Sequence, residues 1–396
     1  MQLFSSFRLS ARVVTKKSAR YNSPMILPRL KTFDRIFEYQ KILCPEIPDF
    51  LYEYSSLPIL SRLDGVGLLC GTDWTPLYQN RFFYSRLDHS FDCALIVWNF
   101  THDKKQALAA LLHDVSTPVF SHVSDFMKGD ALTQEATEAD NSAMIMRDPL
   151  LAELLARDGI NAWEIQDYHV YPVCDNEIPS LSADRLEYMF PSGMGLGVAF
   201  DMESVKSCYE NIRILKNSDG IEELGFADEK IALEYFQNVL EVGLAVRKNE
   251  NKIALNLLGD IVFRALELGI ISMEDCYNLS ERRVLEIFIE AAESKKYENI
   301  PSDDKNRSSA QFTFSQLLST FFNMKEIVRA ENSDDLKGCY KVSFPVKTRW
   351  INPLVQVSGS QKAKRLTEIS EEAAKLAENF LSWKDSAWAG VYVNEK

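Results

Sequence analysis

The sequence predicts a mainly α fold, and three observations carry that expectation. Apolar residues recur at three- and four-residue steps along most of the chain. Hydrophobic residues make up 46% of the 396 residues, enough for a sizeable core. Only residues 338–346 (GCYKVSFPV) and 350–357 alternate in the manner of strands, and they are expected to form a small hairpin near the C-terminus.

Residues 33–42 predict a first short helix, and 57–69 (LPILSRLDGVGLL) a helical stretch that breaks at Gly71. Residues 74–83 carry aromatics on a loop or short hairpin. A helix starting near Ser85 places Leu87, Phe91, Ala94, Leu95 and Trp98 on one face turned to the core. Thr101 and Asp103 offer N-caps for the next helix, whose apolar stretch 107–112 runs into His113–Asp114, with Pro118 marking a turn beyond. Helices are expected over 132–146 and 149–157, a short segment over 160–165, a loop over 172–179, and a helix over 182–190 before the glycine-rich PSGMGLG of 191–197. Later helices are expected over 204–215, 228–248, 252–268, 273–278, 281–293 and 368–383, with a polar stretch at 299–308. The division this suggests is a basic segment 1–32, a helical core 33–217, and a helical C-terminal region 218–396 with a small β element.

A net charge of −13 argues against wrapping long nucleic acid, whose phosphates require a dense basic face. It leaves room for a small anionic substrate, because a metal and a few arginines can reverse the sign inside a pocket. The seven cysteines are scattered and contain no C-x-x-C, so neither a zinc ribbon nor a disulfide framework is expected and a reducing compartment is. No apolar run approaches the roughly 18–20 residues that cross a bilayer. Residues 1–32 hold no acidic side chain but carry Arg8, Arg12, Lys16, Lys17, Arg20, Arg29 and Lys31 among serines. That is the composition of a mitochondrial presequence. It also suits an ordinary basic tail, or an upstream start with Met25 opening the folded protein. A cytoplasmic location is the expectation, with a mitochondrial one the alternative.

The chemistry gathers at LAALLHDVSTPVFSH (108–122), where an apolar helix runs into the His113–Asp114 pair. His89 stands upstream in YSRLDHS and Asp184 downstream in SADRLEY. Taken singly, each has an ordinary reading: a hydrogen-bonded core histidine, or a chance dipeptide. Together, two imidazoles and two carboxylates form a mixed shell for one divalent ion (Mn, Fe, Ni, Zn or Mg). Such a shell keeps positions open for water and a phosphate oxygen, the arrangement of a metal-dependent phosphohydrolase. A carboxylate at the end of a buried helix requires a cationic partner, which an arginine could supply in place of a metal.

The order H…HD…D, in these local settings, resembles the HD-domain superfamily of metal-dependent phosphohydrolases, with a helical HD core. The resemblance covers residues 58–190 and is nearest in pattern to the dNTP triphosphohydrolase branch, which includes the sterile-alpha-motif HD enzyme. YSRLDHS is similar to that branch's Arg-Phe-Glu-His-Ser. LHDVSTPVFSH is similar to its Leu-His-Asp-x-Gly-His-x-Pro-Phe-Ser-His, and SADRLEY to its Asp-x-x-Asp-Tyr. The resemblance implies that His89, His113, Asp114 and Asp184 are the metal ligands. It further implies that Arg86 contacts a substrate phosphate, that Arg185 faces phosphates, that Tyr188 packs on a sugar and that His122 lines the same pocket. Arg86, one helical turn from His89, is also within physical reach of a metal-bound phosphate. The plain alternatives pair Arg86 with Asp88 and Arg185 with Glu187, place Tyr188 in the core, and leave His122 capping a turn.

The chain departs from that pattern at three places. Ser116 and Thr117 stand where the branch has glycine and histidine, so that Thr117 could only bind or position at the pocket mouth. Gln134 stands where a later catalytic histidine is expected, and glutamine cannot shuttle a proton near neutral pH. Ser192 replaces an acidic residue that helps hold the sugar. His122 and Glu135, with Glu138, are the candidate proton donors in compensation. The expected activity is hydrolysis of a small nucleotide-like phosphoester or phosphoanhydride by an all-α hydrolase. The alternative is a catalytically weakened HD scaffold that binds a nucleotide as a sensor or interaction module. A weaker third idea is a phosphodiesterase acting on a dinucleotide or cyclic nucleotide. The expected partners are a small phosphorylated substrate and a further copy of the chain, with no membrane.

Overall fold

The computed structural model describes residues 25–121, 141–294, 296–297, 307–343, 348–357 and 363–393, and the fold is mainly α with small sheets. Helices α1 (Ile36–Leu43), α2 (Asp49–Ser55) and α3 (Pro58–Ser61) lead to α4 (Arg86–Thr101). Ser85 starts α4 with a reciprocal cap. Its hydroxyl accepts from the Asp88 N–H at 3.0 Å, while the Asp88 carboxylate accepts from the Ser85 N–H at 3.2 Å. The next helix, α5 (Lys104–Leu112), begins where Asp103 accepts from the N–H groups of Lys105 and Gln106. Residues Ala107 to Leu112 are all buried, and α5 packs along α4.

Among the described residues the chain continues through α6 (Asn141–Arg147), α7 (Pro149–Asp158), α8 (Ala183–Leu196), α9 (Met202–Glu210), α10 (Glu229–Arg247), α11 (Asn249–Glu267), α12 (Met273–Asn278), α13 (Glu281–Glu293), α14 (Phe314–Asn323), α15 (Leu366–Ile369) and α16 (Glu371–Ser382). Helix α8 packs on α4 and on α10, which places Asp184 opposite His89. The strands are β1 (Ile212–Lys216), β2 (Glu222–Phe226), β3 (Val328–Ala330), β4 (Cys339–Val342), β5 (Leu354–Gln356), β6 (Ala363–Arg365) and β7 (Trp388–Tyr392). They form one sheet ordered β1-β2-β5-β6, with β2 and β5 parallel, and an antiparallel sheet ordered β3-β7-β4.

The structure corrects four expectations. The proposed hairpin of 338–346 with 350–357 does not form: β4 pairs with β7, and β5 with β2 and β6. Alternation marks a strand without naming its partner, and these partners are remote in sequence. The helix expected over 204–215 stops at Glu210, because Ile212 and Ile214 enter a β1–β2 hairpin that turns at Gly220. The stretch 57–69 breaks into α3 and a 3-10 turn (Arg62–Gly65). Finally, α8 continues through Pro191 to a left-handed cap at Gly197. Gly193 explains that continuation: a Cβ there would stand 2.8 Å from Phe200 and 2.9 Å from the Ala199 carbonyl, so close packing outweighs weak helix propensity. The 132–140 part of another expected helix lies outside the described residues.

One buried carboxylate ties the C-terminal half to the loop that carries His113 and Asp114 (the HD loop, 113–121). Glu281, fully buried, accepts from the N–H of Gly67 at 3.0 Å, the N–H of Phe120 at 3.2 Å and the Trp74 indole at 2.7 Å. Burial first, and then the charge of Asp73, push its pKa up to about 8 against those donors. The folded state therefore holds this proton more tightly than the unfolded one. Its stabilising contribution is complete below the ordinary carboxyl range and declines as pH climbs toward about 8. Glu281→Ala strands three buried donors and should cost about 3 kcal/mol, read as a lower urea midpoint. Glu281→Gln should flatten the decline in wild-type stability over that pH window, and an unchanged slope would exclude Glu281 as its source.

Candidate metal centre

Three backbone devices aim the site residues. The capped start of α4 puts Arg86 and His89 one turn apart on a single face. The HD loop follows α5, and the Arg62 guanidinium holds it by donating to the carbonyls of Val115 and Thr117, the latter at 2.9 Å. Ser182 caps α8 by accepting from the Arg185 N–H at 3.3 Å, and Asp184 lies in that first turn.

His89, His113 and Asp184 come together, each with one ligand atom lying within 4.8 Å of the others. The Asp184 Oδ1 is 3.1 Å from His89 Nε2 and 4.0 Å from His113 Nε2. On the far side of each ring, Nδ1 meets an acceptor: the Ala110 carbonyl at 2.7 Å for His113, and the Glu187 carboxylate for His89. Both rings thus have Nδ1 anchored and Nε2 turned to the common point, the arrangement by which outer partners orient metal-binding imidazoles. The two rings meet edge to face at 5.1 Å between centroids.

Asp114 stands at the edge of this group. Its Oδ2 is 3.6 Å from His113 Nε2 but 2.6 Å from the Arg86 guanidinium, and its Oδ1 accepts the Thr117 hydroxyl at 2.8 Å. The Arg86 Nε donates to Ser121 Oγ at 2.6 Å. Both cationic partners considered from sequence therefore have a place: an arginine neutralises Asp114, and a separate imidazole–carboxylate cluster sits beside it. Burial works to raise the Asp114 carboxyl, but Arg86, followed by His113 and His89, holds it well below the usual range. Asp184 is likewise held low against its burial, by His89 first and then His113 and Arg185. Burial works to lower the His89 pKa, and Cys93, Glu187 and Asp184 together raise it instead. The ring lies between two carboxylates, so the position calls for positive charge.

These groups open onto a cavity of about 470 Å³, lined also by Arg86, Tyr168, His169, Arg185, Tyr188, Arg349 and Trp350. Arg185 pairs with Asp175 at 3.0 Å, not with Glu187, and donates to the carbonyls of Ser180 at 2.9 Å and Asn176, so it braces the loop along the cavity rim. Arg86 pairs with Asp114 and not with Asp88. Tyr188 lines the cavity with Arg349 over its ring at 5.7 Å. Thr117 is buried against Asp114 and is not part of the lining. Ser192 is buried. His122, Gln134, Glu135 and Glu138 lie outside the described residues.

Two contributors escaped sequence reasoning. Glu187, fully buried, braces His89 from behind and accepts from Tyr84 at 2.7 Å and Tyr39 at 3.2 Å. With Cys93 and His89 it forms a second cluster of potential ligands, but neither Cys93 nor Glu187 reaches the cavity wall. Its three-residue spacing from Asp184, one helical turn, was the available signal. Arg349 enters from the C-terminal region, and no local motif marked it.

No family model matches the chain. Over 233 residues, 56% of this chain, it is 23% identical to the metal-dependent phosphohydrolase cns2 of Cordyceps militaris. The match spans 66% of that relative's length, just under two thirds. Among solved structures it is similar to a phosphohydrolase from Bacteroides thetaiotaomicron, with a TM-score of 0.59 and 14% identity over 88% of this chain and 96% of the other. It is also similar to a hypothetical protein from Aquifex aeolicus, with a TM-score of 0.51 and 15% identity over 88% and 93% of the two chains. At these identities the structural likeness is one of fold: the chain has the fold of a solved phosphohydrolase and resembles, at low identity, a metal-dependent one.

Proposed function

We propose that this chain is a metal-dependent phosphohydrolase of the HD type, acting on a small nucleotide-like phosphoester or phosphoanhydride. The observation that carries this reading is the His89–His113–Asp184 cluster at the wall of an arginine-bearing cavity. The named relative, metal-dependent by its description, supports it. The donor set fits one divalent ion: two imidazole nitrogens with anchored opposite edges and one carboxylate, with Asp114 beside them in its ion pair with Arg86. Bound there, such an ion supplies Lewis acidity toward a phosphate oxygen and lowers the pKa of a water.

The protein's own side chains do the rest. Glu187 and the Ala110 carbonyl keep both rings oriented. Arg86, buried and fixed by Ser121, holds a planar guanidinium on the cavity wall where phosphate charge develops. Arg349 adds a second cation from the opposite half of the chain, over Tyr188, whose ring offers a flat surface to a sugar or base. Arg185 acts through the rim loop it braces. The cavity suits a nucleotide-sized ligand and not a polymer, in keeping with the acidic balance of the chain.

His113→Ala and Asp184→Ala should each lose bound metal and slow phosphate release by about 10³-fold, the equivalent of several kcal/mol at the transition state. Metal analysis alongside a phosphoester and nucleotide screen checks this, and full turnover at unchanged metal content would overturn the assignment. Dialysis against a chelator should abolish hydrolysis, and one divalent equivalent per chain should restore it. Glu187→Gln should weaken metal affinity roughly 10–100-fold, since the carboxylate acts through His89.

A further inference from the structure

Hydrolysis at phosphorus expels an oxygen that needs a proton unless it is stable as an anion. The cavity's described lining offers few donors for it. His89 and His113 belong to the metal set. Burial first pushes the Tyr188 hydroxyl above the usual phenol range, which makes it a poorer acid. Asp175 is paired with Arg185 at 3.0 Å. His169 also lines the cavity, and its setting is built. It sits in the 3-10 turn Tyr168–Val170, where Asp167 accepts from its backbone N–H and stands 3.0 Å from its ring Nδ1. Its Nε2 is 3.6 Å from Asp175 Oδ2. The Tyr168 ring contacts both imidazoles at a tilt, its centroid 4.3 Å from that of His169 and 5.0 Å from that of His113. His169 and His113 thus share the Tyr168 ring as a neighbour and line the same cavity, and half the His169 side chain is exposed.

We propose that His169 is the general acid that protonates the leaving-group oxygen. The inference rests on the phosphohydrolase reading above. A water oxygen bonds to phosphorus as the phosphorus–oxygen ester bond breaks, and the electron pair of that bond stays on the departing oxygen. The proton on the His169 ring moves to this oxygen. The proton released by the attacking water passes to solvent, from which the imidazole is recharged. Asp167 fixes the ring in place, and Asp175, shared with Arg185, couples it to the rim loop.

The test compares two esters of the same phosphate with metal-loaded wild type, His169→Ala and His169→Gln. One ester releases p-nitrophenolate, which needs no proton, and the other releases an alkyl alcohol, which does. The expected result is a loss of about 100-fold in kcat on the alkyl ester, with the p-nitrophenyl ester nearly unaffected and metal content unchanged. The retained p-nitrophenyl activity also shows that the variants fold. Equal losses on both esters, or none on either, would overturn the assignment of His169 while leaving the phosphohydrolase reading intact. A metal-loaded wild type that hydrolyses neither these esters nor any phosphoester or nucleotide of the screen would overturn the phosphohydrolase reading, and this one with it.

Discussion

Negative charge enclosed in a dry interior is the constraint around which this molecule is arranged. Asp92 and Glu187 are fully buried, Asp114 is nearly so, and Asp184 faces the cavity beside them. Carboxylates in such surroundings persist only when paired or hydrogen-bonded. Tyr84 donates to Asp92 at 2.5 Å as well as to Glu187, and burial still drives Asp92 well above the usual carboxyl range, with the charge of Glu187 adding to it. Arg86 answers Asp114, and His89 stands between Asp184 and Glu187. The acceptors left around His89 and Asp184 suit a multivalent positive ion, and α5 and α8 both pack on α4.

The local chemistry was legible because it is written in short contiguous strings. The buried run before His113, the cap at Ser85 and the turn at Pro118 each fix a backbone direction within a few residues, while the meeting of His89, His113 and Asp184 was expected from motif order and the family resemblance. An arginine beside Asp114 was foreseen only as the alternative to a metal, and Arg86, expected on a phosphate or on Asp88, was not named for that place. What sequence did not disclose depends on remote partners. Strand pairing of β5 with β2, the passage of α8 through Pro191 and Gly193, and the entry of Arg349 into the cavity are set by tertiary contact. Local propensity carries no record of the chain that will pack against it.

The cavity is correspondingly a joint product. Arg86 and His89 of α4, His113 and Asp114 after α5, and Asp184 of α8 line it together with Ala245, Asn251, Leu255 and Arg349 from further along the chain. Shape and charge for a ligand are therefore supplied by a region without a recognisable motif. Proteins sharing the H…HD…D arrangement can differ in what they accept while keeping the same ion-holding groups.

Glu281 gives this joint construction a mechanical meaning. From its carboxylate the hydrogen bonds run to Gly67 and Phe120. The Gly67 carbonyl accepts from Ser121 at 3.3 Å, and Ser121 in turn fixes Arg86. A fragment ending before α13 would lack the far end of that relay, leaving the guanidinium's support slack. The motif-bearing half is therefore not a portable module. Grafting it onto another scaffold, or swapping in a foreign C-terminal half, requires carrying along a single acidic side chain and the helix start that presents it.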